Sequence, residues 1–175
     1  MTIINLVKIP DNIEEFVKMR DELATTPEGG AAIFVMAMIL FGNDIKMGEQ
    51  AFVVALDRYN LSASANGYKG FMPSNSLKFH LDRFVSKPYW GKTYILGTNF
   101  EQGYQLPAEL KVETSRNPSS QQSNGDIKVF VKCTGADMLR PITMRVNDKG
   151  IWKAYECSSM FVDMRAPKQI ISDDL

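Results

Sequence analysis

The chain has 175 residues, 45% of them hydrophobic and 23% charged, with 20 lysines and arginines against 20 aspartates and glutamates. That is the make-up of one ordinary globular domain: it lacks the charge imbalance of a polyanion binder, and it is long enough to bury a core without a disulfide or metal staple. Its two cysteines, Cys133 and Cys157, stand far apart and form neither a disulfide framework nor a zinc-ligand spacing.

The start of the chain, Met1 to Pro10, carries no basic leader and no small-residue cleavage site, so it reads as a mature N-terminus. A capping-box pattern at Asp11 and Glu14 then predicts a helix over roughly 12–24, with Ile13, Phe16, Val17, Leu23 and Ala24 on its apolar side. Thr26 and Pro27 open a second helix, because proline at the first helical position loses no hydrogen bond. Its run 31–41 is apolar on all sides, which predicts a central buried helix. The run is about half the ~20 residues of a membrane span, so no membrane segment is expected. A third helix is predicted over 45–59 and a loop over 60–75, where Ser, Asn, Gly and Pro collect. The sequon Asn60-Leu61-Ser62 in that loop is read as a chance match. Pro73 or Ser74 opens a fourth helix that carries Leu77, His80, Leu81 and Phe84 and closes at Lys87-Pro88.

From Tyr89 onward the period changes to that of strands, predicted at 93–97, 109–114, 127–133, 141–146 and 150–164. Residues 117–126 form a polar loop, and Asn147-Asp148-Lys149-Gly150 is a hairpin turn. The prediction is a single α+β domain over 1–175, with a helical part at about 11–88 and a sheet part at about 92–165. About four N-terminal helices pack on one face of a C-terminal antiparallel meander of about five strands.

Catalytic signatures are absent: there is no GxSxG, Walker loop or GxGxxG motif. His80, the only histidine, reads as a core-edge residue, and Asp82 two positions on points elsewhere on a helix. Cys133 falls on an apolar strand face, and nothing in the sequence lowers the pKa of Cys157. The stretch 25–30 offers backbone amides at a helix start, but Glu28 opposes an anion there. Adjacent carboxylates, Glu14-Glu15 and Asp173-Asp174, read as solvated charges. No catalytic residue, metal site or cofactor is expected. Residues 68–94 interleave Lys69, Lys78, Arg83, Lys87 and Lys92 with seven aromatics, a pattern that single-stranded nucleic acid can use, although core aromatics under a lysine cover outweigh it. His80, Tyr89, Trp90, Trp152 and Tyr155 are the residues placed at a pocket or an interface.

The stretch Gly135 to Thr143, with Arg140-Pro141-Ile142-Thr143, followed by Asn147 to Glu156 with Gly150-Ile151-Trp152-Lys153, resembles the C-terminal signature of a bacterial family of uncharacterised proteins. The resemblance implies no activity. In the motif, Asp137 is expected to pair with Arg140 to hold the bend before the strand. Helices followed by a meander with a late Gly-x-Trp-Lys strand are also similar, at the level of fold, to nuclear transport factor 2-like proteins, which implies a pocket between helices and sheet. The expectation is therefore a cytoplasmic, non-catalytic binding or interaction protein that pairs with itself or another protein. The alternative is an enzyme or carrier with a helix–sheet pocket using His80 or Tyr155, and nucleic-acid binding comes third.

Overall fold

The computed structural model describes residues 1–169. Thr2–Asn5 is β1, and α1 (Ile13–Leu23), α2 (Pro27–Asn43) and α3 (Ile45–Ala55) follow. A ribbon of β2 (Leu61–Tyr68) and β3 (Phe71–Pro73) leads to α4 (Asn75–Val85). The remaining strands are β4 (Lys111–Ser115), β5 (Ile127–Val131), β6 (Arg140–Val146) and β7 (Trp152–Glu156). The fold is α+β, with an antiparallel sheet in the order β1-β4-β5-β6-β7.

α2 crosses the inner face of this sheet and touches every one of its strands. Its residues from Ala31 to Phe41 are all buried, as an all-apolar helix requires. Opposite lie Val112, Val129, Val131, Ile142, Met144 and Ala154, each fully buried. In β5, Ile127, Val129 and Val131 point inward while Lys128 and Phe130 are half-exposed, so the period of two is realised. A second cluster closes the end of the core. The Phe161 ring lies 5.8 Å from Phe34, 6.1 Å from Phe52 and 6.2 Å from Phe84.

Several boundaries differ from expectation for local reasons. The cap of α1 is Asn12, whose side chain accepts the Glu15 amide at 2.9 Å, while Glu15 accepts the Asp11 amide at 2.9 Å. The capping pair is thus one residue later than Asp11 and Glu14. Thr26 caps α2 through the Gly29 amide at 3.0 Å, with Pro27 in the first turn, as predicted. α3 stops at Ala55, because Leu56 turns extended and bridges Ala154 of β7; residues 58–60 form a short 3-10 turn instead of more α-helix. Residues 60–75 are not a loop: they hold the β2–β3 ribbon, in which Ser62 pairs with Met72 and Ala63 with Phe71, a backbone order that composition hides. Residues 93–97 are not a strand, since Trp90–Tyr94 is a 3-10 turn that buries Thr93, Tyr94 and Ile95 in succession. β1 supplies the sheet's first strand, so the meander is not wholly C-terminal. The last predicted strand ends at Glu156, and Ser158–Phe161 is a further 3-10 turn. Asp137 faces Arg165 at 3.7 Å rather than Arg140, whose guanidinium donates to the carbonyls of Ser159 and Asp163. The Asp173-Asp174 pair lies outside the described residues.

Val7 carries φ +66°, a left-handed conformation that a β-branched residue adopts at a cost of about 1–2 kcal/mol. Its side chain is 74% exposed, so little packing offsets that cost. Val7→Gly removes the strain and adds about 0.5–1 kcal/mol of chain entropy to the unfolded state. The expected result is a gain of up to about 1 kcal/mol, read as a melting temperature about 1–4 °C higher. A lower melting temperature would show that the Val7 side chain supports the β1–α1 connection.

Candidate functional site

The five residues singled out from the sequence do not converge on one site. The His80 ring stacks on Phe161 at 5.3 Å and 9°, and Arg83 Nη1 lies 3.5 Å from its Nδ1. Burial, and then the charge of Arg83, hold its imidazole below the ordinary value of 6.5. Among the described residues no carboxylate bonds to it, and the charge of Glu156 acts in the opposite direction. Trp90 is fully buried, its Nε1 is unpartnered, and the side chains of Arg83 and Lys87 lie over its ring. Tyr89 stacks on Tyr104 at 5.7 Å. The amide of Trp152 donates to the Ala24 carbonyl at 2.8 Å, tying β7 to the end of α1. Tyr155 lies under the Arg145 guanidinium, 3.5 Å from the ring centre, and 5.0 Å from Tyr59.

The aromatic segment 68–94 resolves in the same way. Phe84, Trp90 and Tyr94 are core residues, and Phe79 is its one ring that is mostly exposed. A stacking platform for single-stranded nucleic acid needs several such rings. At the start of α2 the anion position is filled from within: Glu28, 9% exposed, accepts two bonds from Arg116 at 2.5 and 3.1 Å. Burial alone would raise that carboxyl, but the Arg116 bonds and charge and its own amide hold it below the usual carboxylate value. Cys133 and Cys157 are buried, and burial pushes the Cys157 thiol far up. Among the described residues no three His, Cys, Asp or Glu side chains are placed to hold a metal, and no helix is long and apolar enough to cross a membrane.

What the fold does assemble is a cleft of about 250 Å³ beside β7, between the end of α3, the β2–β3 ribbon and the β6–β7 turn. Each wall has a local cause. After α3, the Asp57 amide donates to the Ala154 carbonyl at 2.8 Å, which lays 56–57 along the edge of β7. Asp57 Oδ2 caps the 3-10 turn through the Tyr59 amide at 2.9 Å, so Arg58 projects from a fixed corner. The Asn60 side chain locks that corner by donating to the carbonyls of Ala154 and Tyr155 at 2.9 and 2.8 Å. Opposite, Asn147 Oδ1 accepts the amides of Lys149 and Ile151, and Gly150 takes φ +77°, which only glycine adopts without strain. A bulge between Thr143 and Met144 leaves Tyr155 as the extra residue of β7. Bulges of this kind re-aim side chains beside functional sites.

The lining is apolar below and charged above. Val53, Leu56, Leu61 and Phe71 form the wall, and Asp57, Arg58, Asp148 and Lys153 stand around it. The Arg58 guanidinium lies 5.0 Å over the Phe71 ring. Among the described residues none of these four charged side chains makes an ion pair. The Lys153 ammonium donates to the carbonyl of Val54 in the last turn of α3, which Arg20 Nη1 also approaches at 3.4 Å. Burial first, and then the Arg20 charge, lower its pKa to about 8, while Asp57 and Asp21 pull the other way. A larger cleft of about 320 Å³ lies between the Val7 turn and α1, but there Lys8 is already paired with Glu15 at 3.4 Å and Asp11 at 3.9 Å.

Sequence reasoning quoted Lys153 only as part of the Trp-Lys strand. Strand alternation sends it outward, away from Ala154, and only the return of the chain after α3 covers it. Arg58 and Asp57 were assigned to the tail of a helix. The sequence holds no signal for this cleft, since its walls lie some ninety residues apart. Residues 8–168 match the family model described as a domain of unknown function, DUF6935. No curated protein and no solved structure matches the chain, so the likeness to nuclear transport factor 2-like proteins gains no support.

Proposed function

Since this chain belongs to the DUF6935 family, whose description carries no activity, we propose its function from the cleft alone: a non-catalytic domain that binds a small carboxylate-bearing ligand beside β7. The observation that carries this is four charged side chains of both signs around an apolar wall, none of them in an ion pair among the described residues. Arg58 and Asp148 stand exposed at the rim, so a ligand can meet them without displacing an internal partner. Arg58 is the fork for the carboxylate, because its stacking on Phe71 holds the guanidinium plane in place. Asp57 and Asp148 accept hydrogens from hydroxyl or ammonium groups of the same molecule.

A thermal-shift panel of small hydroxy, oxo and amino acids tests this. A carboxylate ligand at about 100 times its Kd stabilises the fold by about 2.7 kcal/mol, a melting shift of about 5–10 °C. Arg58→Met is expected to lose at least about tenfold in affinity while keeping the unliganded melting temperature within about 2 °C. Shifts that persist unchanged in Arg58→Met would place the ligand elsewhere.

A second reading, self-association, is favoured by one observation. Among the described residues β1 is an edge strand with its outer side unpaired, and Ile3 on it is 46% exposed. Two copies joined edge to edge would give a dimer whose sedimentation responds to an Ile3→Lys change; a strictly monomeric chain at high concentration contradicts it.

A further inference from the structure

We infer that Lys153 forms an imine with oxo acids and aldehydes that enter the β7 cleft, so that the ligand is held covalently and reversibly. The inference rests on the cleft reading above and names the ligand's reacting group. Three features of the geometry support it. The Lys153 side chain lines the cleft, and its amine, held on the Val54 carbonyl, lies mostly out of water, where burial disfavours its charged form. The Arg20 guanidinium reaches the same Val54 carbonyl, so a second cation sits next to the amine and opposes its protonation. Arg58 stands on the same cleft, where it can hold the carboxylate of an oxo acid while the ketone carbon faces the amine.

The charges facing Lys153 come from every packed element. Arg20 and Asp21 belong to α1, Asp57 and Arg58 to the corner after α3, Asp148 to the hairpin turn and Arg145 to the paired position of β6. Arg145 is engaged by Asp126 at 2.8 and 2.9 Å, and Asp21 by Arg20 at 2.7 Å. Asp57, which accepts the Tyr59 amide, and Asp148 are the carboxylates that share the cleft with Lys153. In the reaction the nitrogen lone pair forms a bond to the carbonyl carbon, and the carbonyl π pair moves to oxygen and takes a proton. That proton comes from the nitrogen, giving the carbinolamine. Its hydroxyl takes a second proton and leaves as water while the nitrogen lone pair forms the C=N bond. The nitrogen's remaining proton is released to replace the one consumed. One amine and one carbonyl become one imine and one water, with no oxidant or reductant.

Wild-type protein is incubated at pH 7.5 with pyruvate or with acetaldehyde in the presence of cyanoborohydride, which fixes an imine as a secondary amine. Adducts are located by peptide mass mapping. The expected result is an adduct on Lys153 at a rate at least about tenfold above the mean of the other lysines, lost in Lys153→Arg, which keeps a cation on the Val54 carbonyl. The excess of Lys153 labelling over the other lysines is expected to be larger with pyruvate than with acetaldehyde, and Arg58→Met to erase that difference. Selective labelling of Lys153 by both probes alike, unaffected by Arg58→Met, would support the imine and overturn the carboxylate cleft. A pyruvate-induced melting shift without selective labelling of Lys153 would support the cleft and overturn the imine. Even labelling across surface lysines with no melting shift would overturn both.

Discussion

Phe161→Ala is expected to cost about 3–5 kcal/mol, read by denaturant unfolding, because the side chain is fully buried and its ring joins four others. Phe34 belongs to α2, Phe52 to α3, and His80 and Phe84 to α4, so one ring ties three helices to the turn after β7. Removing it leaves a void that none of those helices can close alone, since each is held elsewhere. Phe161→Leu fills most of the space and is expected to cost about 1–2 kcal/mol. The His80 ring loses its stacking partner in either variant. A cost for Phe161→Ala no larger than that for Phe161→Leu would mean that the end of the core collapses freely and that the aromatic cluster is not a specific packing unit.

Gly48→Ala is expected to be as damaging for the opposite reason. α2 and α3 are joined through the single residue Asp44, whose side chain caps α3 through the Met47 amide at 3.3 Å. That corner brings Gly48 directly against the backbone of Phe41, where an added Cβ overlaps the Phe41 Cα, Cβ and N. The overlapped atoms are helical backbone and cannot rotate away, so α3 must shift or unwind. The expected loss is about 3 kcal/mol or more, a fall in melting temperature of about 6–12 °C. Because the Val54 carbonyl lies in the last turn of α3, the same shift moves the acceptor of Lys153. Gly48→Ala should therefore weaken ligand binding in the cleft as well as stability. Stability equal to the parent would show that the corner has slack.

What the sequence revealed and what it hid follow from the range of the forces involved. α2 was legible because its apolar residues leave no polar face, its cap Thr26 stands beside Pro27, and all three signals are local. The β6–β7 hairpin was legible from Asn147 to Gly150 for the same reason. β1 was missed because Thr2 to Asn5 is too short to show a period, and its pairing partner Val112 is more than a hundred residues away. The β2–β3 ribbon resembles a loop in sequence because 60–75 collects Ser, Asn, Gly and Pro, whereas its order comes from backbone pairing of 61–63 with 71–73. Residues 93–97 looked like a strand because Thr93, Tyr94 and Ile95 favour strands, yet all three are buried in succession, which a strand with one wet face does not allow.

The candidate site was the least legible part. His80 and Trp90 drew attention by residue type, and the fold uses both as packing against Phe161 and Phe84. Lys153 drew none, because a lysine on an outward strand position is ordinary. Only the path of 56–60 along the β7 edge turns that position into a wall of a cleft and takes its amine out of water.

The most direct test of this account is a map of backbone amide shifts as pyruvate is added to the isotopically labelled chain. Changes confined to 53–61, 71 and 147–155, saturating together and weakened by Arg58→Met, are the predicted result. Saturable changes centred on the Val7 turn and α1, with residues 147–155 unmoved, would contradict it.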